Sequence, residues 1–396
     1  MQPARREAVV TGIGVVSPMG VSSCDGRDLG LDKFWSGLIA GRDTAGPIRA
    51  FDTSAYPTHI ACETLFEPDP ARPDEARWLA FLDRAYQDAV VDAGINPASA
   101  NTALYVGTVL GGVIEGQKAW AANAPLPPSY HLRSGIDTLK TRYNISGPSM
   151  TLSTACASGT DAIGMAMRAI RSNKANVAVA GGVDTLSEFA FSGFNSLRAL
   201  SKTAIRPFDK DRDGLVLGEG ACILVLEEAN AATRRGAKIY GAVMGYASRA
   251  DGRHLTAPDR DGRGLASAIT AALADADVTD IDYINAHGTG TLYNDAMETR
   301  AIKLAFGDAA REIPVSSIKS MIGHSFGAGG ALEAAACLLA IRDGIMPPTI
   351  HYSTPDPDCD LDCIPNTARR GRVKTSLSLS AGFGGQNAAI IFGERT

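Results

Sequence analysis

A cysteine and two histidines stand where ordinary core residues rarely do. Cys156 lies between an apolar run, 150–155, and a helix-like run that begins at Ser158, with Ala155, Ala157 and Gly159 as small neighbours. A strand-to-helix corner of this kind offers unpaired backbone N–H groups and the positive end of a helix dipole, which favour a thiolate. His287 follows the apolar run 281–286 and opens the turn Gly288-Thr289-Gly290-Thr291, while His324 sits between Gly323 and Ser325 ahead of a helix of small residues. Folds that alternate strands and helices build active sites at such strand ends. Lys319 comes five residues before His324, and Asp295 and Glu298 follow His287. A lysine beside buried histidines needs a carboxylate partner, and Glu298 is the expected one.

One thiol and two imidazoles on separate loops suit nucleophilic acyl transfer. They equally suit a reaction that holds a thioester enolate by hydrogen bonds. Backbone amides at Cys156 and within Gly382-Phe383-Gly384-Gly385 could form an oxyanion hole, each donor being worth roughly a hundred- to a thousandfold in rate. The other histidines, His59, His131, His254 and His351, and the other six cysteines have no such setting and read as surface or structural.

Gly323-His324-Ser325-Phe326-Gly327 also matches a G-x-S-x-G nucleophile elbow, with Asp343 and His351 following in hydrolase order. A serine hydrolase using Ser325 is therefore the competing reading, although residues 320–323 separate the preceding strand from the serine. Two other motifs fail on their own terms. Gly12-Ile13-Gly14 lacks the third glycine of a dinucleotide loop, and Cys359-x-x-x-Cys363 has neither zinc spacing nor a second pair.

The elements that must position these residues alternate along the chain, as in an α/β protein with parallel sheets. Strands are expected at Ala8–Val16, 104–109, 150–155, 177–180, Gly220–Glu228, 238–246, 281–286, 314–318, 376–379 and 388–392. Helices are expected at 75–93, 158–171, 229–236, 263–276, 296–306 and 328–342, and 347–365 is loop. The stretch around Cys156 leads into a small-residue helix and a strand ending Gly181-Gly182. The stretch around His324 leads into another such helix and a strand ending Gly384-Gly385. That echo suggests two similar halves, 1–236 carrying the cysteine and 237–396 carrying the histidines, with their loop ends facing one cleft.

The 396 residues are 45% apolar and 20% charged, enough for a large core, and the formal charge of -5 without a Lys/Arg block gives no nucleic-acid footprint. No apolar run reaches the roughly 18 residues of a membrane span. Seven sparse cysteines point to a reducing cytoplasm without a disulfide framework.

Thr154-Ala155-Cys156-Ala157-Ser158-Gly159, Asn285-Ala286-His287-Gly288-Thr289-Gly290-Thr291 and Ser316-Ser317-Ile318-Lys319-Ser320-Met321-Ile322-Gly323-His324 resemble the β-ketoacyl-acyl-carrier-protein synthases of the elongating, Cys-His-His type. Arg206-Pro207-Phe208-Asp209, Gly218-Glu219-Gly220 and Met346-Pro347-Pro348-Thr349 extend the likeness from first strand to last. The resemblance implies a thiolase-like fold of two ββαβα-type halves in five αβαβα layers. It implies a homodimer, or else a heterodimer, and an acyl carrier protein that delivers substrates on phosphopantetheine; a third reading makes this chain the non-catalytic partner subunit of a heterodimeric ketosynthase. By position, Cys156 would take the acyl chain while His287 and His324 hold the enolate formed as malonyl loses carbon dioxide. The amides of Cys156 and Phe383 would hold the oxyanion, Lys319 would pair with Glu298, and Asp295 would support them. Thr256, Thr289 and Thr291 match the phosphopantetheine tunnel, and Leu110 the acyl-pocket floor. A thiolase would carry a second cysteine near Phe383, an initiating synthase an asparagine at His324, and a chain-length factor no nucleophile at Cys156.

Two departures carry consequences. Where the family has Ser-Asn-Ser-Phe-Gly-Phe-Gly-Gly, residues 378–385 read Ser-Leu-Ser-Ala-Gly-Phe-Gly-Gly. Ala381 should widen the acyl entrance, and Leu379 removes one ligand of a structural monovalent cation, leaving Asn285, Glu333 and Ser378. No other cofactor is implied. The segment 52–67 has no Lys or Arg, so a carrier-docking patch would draw on Arg72, Arg77, Lys202, Arg206, Lys210 or Arg212. These differences favour a polyketide or polyene pathway over housekeeping fatty-acid synthesis.

Overall fold

The structure, a computed structural model, describes residues 6–22, 30–67, 69–99 and 101–395; Cys24 and the residues ahead of position 6 lie outside them. Strands β1 (Ala8–Val16) and β5 (Gly220–Glu228) are buried along their whole length. A continuous apolar run is what a strand covered on both faces requires. With β2 (Thr102–Gly107), β3 (Ser149–Leu152) and β4 (Val177–Asp184) they form the first half. The second half contains β6 (Gly241–Ala250), β7 (Tyr283–Asn285), β8 (Pro314–Ser316), β9 (Thr375–Gly382) and β10 (Gln386–Gly393).

Neighbouring strands run β3-β2-β4-β5-β1 in the first half and β8-β7-β9-β10-β6 in the second. Counted within itself, each half is therefore 3-2-4-5-1. The pairing repeats as well: the second strand is parallel to the third and fourth, and the fifth is antiparallel to the fourth and first. Helix α7 (Ala229–Arg234) links the halves, and β1 meets β6 antiparallel from Ala8↔Val243 to Val10↔Gly241.

Helices α5 (Ser158–Arg171) and α11 (Gly329–Asp343) pack on each other and touch strands of both halves. Helix α11 is buried from Gly329 through Ile341, as a helix apolar all round must be. The fit is close because side chains are missing: a Cβ on Gly330 would fall 2.0 Å from Thr160 Oγ1. Helix α2 (Arg77–Ala93) covers the outer face of the first half, and α8 (Arg263–Ala276), backed by α9 (Asn294–Phe306), covers the second. The layers thus read helix, sheet, helix, sheet, helix.

Five helices went unanticipated: α1 (Gly30–Ile39), α3 (Val113–Ala121), α4 (Ser134–Tyr143), α6 (Glu188–Ser196) and α10 (Lys319–Ile322). The apolar faces of α3, α4 and α6 are short and broken by Gly, Ser or Thr, whereas α1 carries a regular stripe of Leu31, Phe34, Trp35 and Leu38 that marks a helix. Strand β8 stops at Ser316, so Lys319 does not end a strand but opens the four-residue helix α10 (Lys319–Ile322).

Candidate active site

The strand ends of the two halves converge on one cleft. Between β3 and α5 the chain folds into a tight turn in which Ala155 holds a left-handed φ of 50°, a strained value for a residue with a Cβ. Ser158 Oγ fixes it by donating to the Ala155 carbonyl (2.6 Å) and accepting from Thr154 N–H (2.9 Å). Cys156 thereby stands one residue ahead of the α5 N-cap, Ala157. A Cβ on Gly382 would lie 3.0 Å from the Cys156 amide nitrogen, so the end of β9 passes directly over the nucleophile. The next backbone N–H, that of Phe383, donates to the Cys156 sulfur.

His324 Nε2 stands 3.0 Å from Cys156 Sγ, and the ring of His287 meets that of His324 edge-on at 5.4 Å. One ligand atom from each of the three residues lies within 4.8 Å of the others. Burial, with Lys319 adding to it, drives His287 well below its ordinary value and His324 down to about 3. Both rings are neutral near pH 7. The thiol moves the opposite way from the sequence expectation. Burial pushes Cys156 up to about 11, outweighing Lys319 and the Phe383 N–H, so the sulfur needs a base.

Lys319 does not pair with Glu298. Its ammonium bonds Glu333 on α11 and stands 3.2 Å from His287 Nδ1. An ammonium has donors only, so Nδ1 of His287 accepts and its proton sits on Nε2. Glu298 instead accepts the N–H groups of His287 (2.6 Å) and Gly288 (2.8 Å). Asp295 accepts those of Phe208 (2.8 Å) and Gly290 (3.1 Å). Burial raises both carboxyls, Glu298 to about 8. These two acids hold the 287–290 turn through its backbone, where Gly288 and Gly290 supply the positive φ values.

The trio has the donor types of a zinc site. Metal-bound histidines almost always donate their other ring N–H to an acceptor. His324 Nδ1 has no partner, and His287 Nδ1 faces an ammonium, so the trio fits acyl chemistry better.

Thr256, Thr289, Thr291, Ala381 and Phe383 line the cleft over Cys156, a cavity of about 300 Å³, and Thr289 and Thr291 hydroxyls are 3.0 Å apart. Leu110 is not in that lining. It packs behind the cleft in a cluster with Val109, Phe194 and Phe326. Phe194 and Phe326 were missed by sequence reasoning: Phe194 stacks on Phe383 at 5.3 Å and meets Phe326 at 5.8 Å, and Phe326 stacks on His324 at 5.8 Å. Nothing in an isolated phenylalanine marks it, although the neighbouring glycines hinted at a turn.

The hydrolase reading fails. Ser325 Oγ is buried without a partner, Asp343 is held by Arg342 and Trp35, and His351 pairs with Asp43. The expected docking patch also thins: Arg72 binds Asp69, Glu75 and Asp83, Arg77 binds Glu219, and buried Arg212 binds Asp356. Lys202, Arg206 and Lys210 remain at the surface or near it. Asn285 Oδ1, Glu333 Oε2 and Ser378 Oγ are buried without partners, and Ser378 sits opposite Asn285 in the β7–β9 register.

Two family descriptions match this chain: "Beta-ketoacyl synthase, N-terminal domain" over residues 5–232 and "Beta-ketoacyl synthase, C-terminal domain" over 240–353. It is 42% identical to the tetracenomycin polyketide synthase ketoacyl synthase alpha subunit of Streptomyces glaucescens, covering 98% of this chain and 97% of that one. It is 38% identical to 3-oxoacyl-[acyl-carrier-protein] synthase 2 of Coxiella burnetii, covering 98% of each. Among solved structures it matches "the ishigamide ketosynthase/chain length factor" with a TM-score of 0.91 and 38% identity, over 99% of this chain and 100% of that one. A type II PKS ketosynthase solved with its acyl-carrier protein matches at a TM-score of 0.89 and 33% identity, over 99% of this chain and 100% of that one. With both family descriptions and relatives of this identity spanning nearly the whole chain, the chain belongs to the β-ketoacyl synthase family of condensing acyltransferases.

Proposed function

We propose that the protein joins an acyl group held on Cys156 to a malonyl thioester carried by an acyl carrier protein, releasing carbon dioxide. The observation that carries this reading is the packing of one protonated thiol against two neutral imidazoles, with the Phe383 N–H aimed at the sulfur. In the loading step Cys156 Sγ attacks the donor thioester. Its proton passes through His324 Nε2 to the departing pantetheine sulfur. When malonyl thioester enters, its carbon–carboxylate bond breaks, and the electron pair forms an enolate at the thioester oxygen. His287 Nε2–H, with its proton fixed by Lys319, donates to that oxygen, and His324 does so once its single proton has moved from Nδ1 to Nε2. No strong base is needed, since loss of carbon dioxide makes the carbanion. The enolate carbon attacks the acyl-Cys156 carbonyl, whose oxyanion rests on the amides of Cys156 and Phe383. Collapse expels the sulfur, which takes up from solvent, by way of His324, the one proton that the net condensation consumes.

The carrier arm would run past Thr256, Thr289 and Thr291, and the acyl chain would lie toward Leu110 and Phe326. Ala381 leaves the mouth of that path open. The polyketide synthase relatives support a polyketide or related pathway, and a carrier of that class is the proposed partner. Strand β3 ends the sheet with Met150 exposed, and a second ketosynthase-like chain would pair there. Among the described residues no helix is long and apolar enough to cross a membrane, and every described cysteine is free, which supports a reducing cytoplasm. Asn285 Oδ1, Glu333 Oε2 and Ser378 Oγ fit a structural monovalent cation, because hard oxygens without donors need a positive partner. Such a cation would tie α11 to β7 and β9 and do no chemistry.

The test is to incubate the enzyme with a ladder of acyl-carrier thioesters and malonyl carrier and weigh the products. Chain-extended β-ketoacyl carriers support the reading. Free acid in their place would point to hydrolysis instead.

A further inference from the structure

Asp184 ends β4 fully buried, and the mechanism above does not use it. Its Oδ1 accepts from the Thr108 hydroxyl (2.7 Å) and from the N–H groups of Leu110 (2.8 Å) and Val109 (3.2 Å). Its Oδ2 accepts from the N–H groups of Gly327 (2.7 Å) and Val109 (3.0 Å). Among the described residues no ion pair reaches it, so a lone carboxylate is held by hydroxyl and backbone donors alone. The approach is as close as chemistry allows: a Cβ on Gly327 would lie 2.7 Å from Asp184 Oδ2.

The two turns gathered by this carboxylate come from different halves. One, 108–111, carries Val109 and Leu110. The other, 325–328, carries Phe326, which holds a left-handed φ of 51° and stacks its ring on His324. Val109, Leu110, Phe326 and Phe194 form one apolar cluster, and Phe194 also lines the cleft over Cys156. We propose that Asp184 is a positioning residue that clamps these turns together and so sets the shape of the wall met by the distal part of a Cys156-bound acyl chain. The proposal rests on the condensing reading and deepens it. A short acyl group ends before that wall and is indifferent to it, whereas a long one meets it at Phe194, which lines the cleft and rests on Phe326. Burial also raises the Asp184 carboxyl to about 6, and the five donor contacts pull it back toward the charged form.

The test compares loading of Cys156 from acetyl and octanoyl N-acetylcysteamine thioesters, followed by intact mass. Asp184→Asn turns one acceptor into a donor and leaves a backbone N–H unpaired. It should change the octanoyl-to-acetyl ratio of loading rates by about tenfold or more, through KM for the octanoyl donor. Thr108→Val removes a single donor and should move the ratio the same way by about twofold to threefold, so the proposal stays testable if the Asn variant does not fold. Asp184→Glu, which keeps the charge, should recover part of the ratio. Equal losses for both donors, in step with a lower Tm, would make Asp184 merely structural and overturn the proposal, as would an unchanged ratio. A wild-type protein that loads neither donor would sink the condensing reading itself, and this inference with it.

Discussion

The two halves share one strand order yet place opposite chemistry at matching corners. After the second strand, the first half has the turn of Thr108 and Leu110, and the second half has His287. After the third strand, the first half has Cys156, while the second has Lys319 and His324. After the fourth strand, the first half ends at Asp184 and the second at Gly382 before Phe383. The first half therefore supplies the nucleophile and an apolar wall; the second supplies the imidazoles, an oxyanion donor and a buried ion pair. A repeated scaffold brings six strand ends to one cleft, and divergence at those ends divides the labour.

The sharpest way to break that division is to remove the first half's single reactive group. Cys156→Ala should abolish acyl loading by intact mass, because no other described thiol lines the cleft. Cys156→Gln should leave malonyl decarboxylation running, since the enolate site belongs to the second half. An acyl adduct on the alanine variant would collapse the comparison.

Next in size comes the buried pair. Lys319 and Glu333 are both nearly inaccessible, so Lys319→Met strands a carboxylate and should cost about 3–5 kcal/mol in urea unfolding. It should also free His287 to exchange tautomers and slow decarboxylation. The exposed Arg133–Asp137 pair of the first half is the control, and Arg133→Ala should cost under about 1 kcal/mol. Similar costs for the two would remove the claim that burial makes the Lys319–Glu333 pair of the second half count for more than a surface pair. His287→Ala, which takes away one enolate donor, should slow carbon dioxide release about a hundredfold with stability little changed.

Proton occupancy sharpens the same contrast without a mutation. His324 lies at about 3 and His287 well below 6.5, both from burial beside Lys319. A depressed imidazole is neutral at every pH above its own value, so each ring keeps one N–H donor and one acceptor nitrogen through neutrality. Histidine NMR should show no titration of either between about pH 5 and pH 9. A midpoint near 6.5 would mean that the rings are wetter than their packing implies.

The nucleophile, both histidines and the repeat were legible because each sits where a periodic apolar run stops, and such stops are written in the sequence. The partner of Lys319 was not. Glu298 and Glu333 are both acids on helices that follow the strand ends, and only the packing of α11 in the central layer decides which one faces the ammonium. Depression of the Cys156 thiol was expected from the helix terminus alone. Burial, a property of the whole five-layer stack, reversed the sign. Asp184 followed a recognisable buried strand, yet its ligands come from turns 76 and 143 residues away. Arg72, Arg77 and Arg212 were unreadable as docking residues for the same reason, since their acids are distant in the chain or across a turn.

The smallest expected effect concerns Ser325, the residue the motif alone would have chosen. Its hydroxyl is buried and unpartnered, one position from His324 and adjacent to the turn that Asp184 grips. A hydroxyl in that setting costs desolvation without a hydrogen bond in return, so Ser325→Ala should leave Tm unchanged or slightly raised. Condensation should stay within about twofold, and fluorophosphonate probes should not label the wild-type protein. A large loss of turnover with normal Cys156 loading would give the hydroxyl a part in the second half's chemistry. The division between nucleophile and enolate corners would then need a third group.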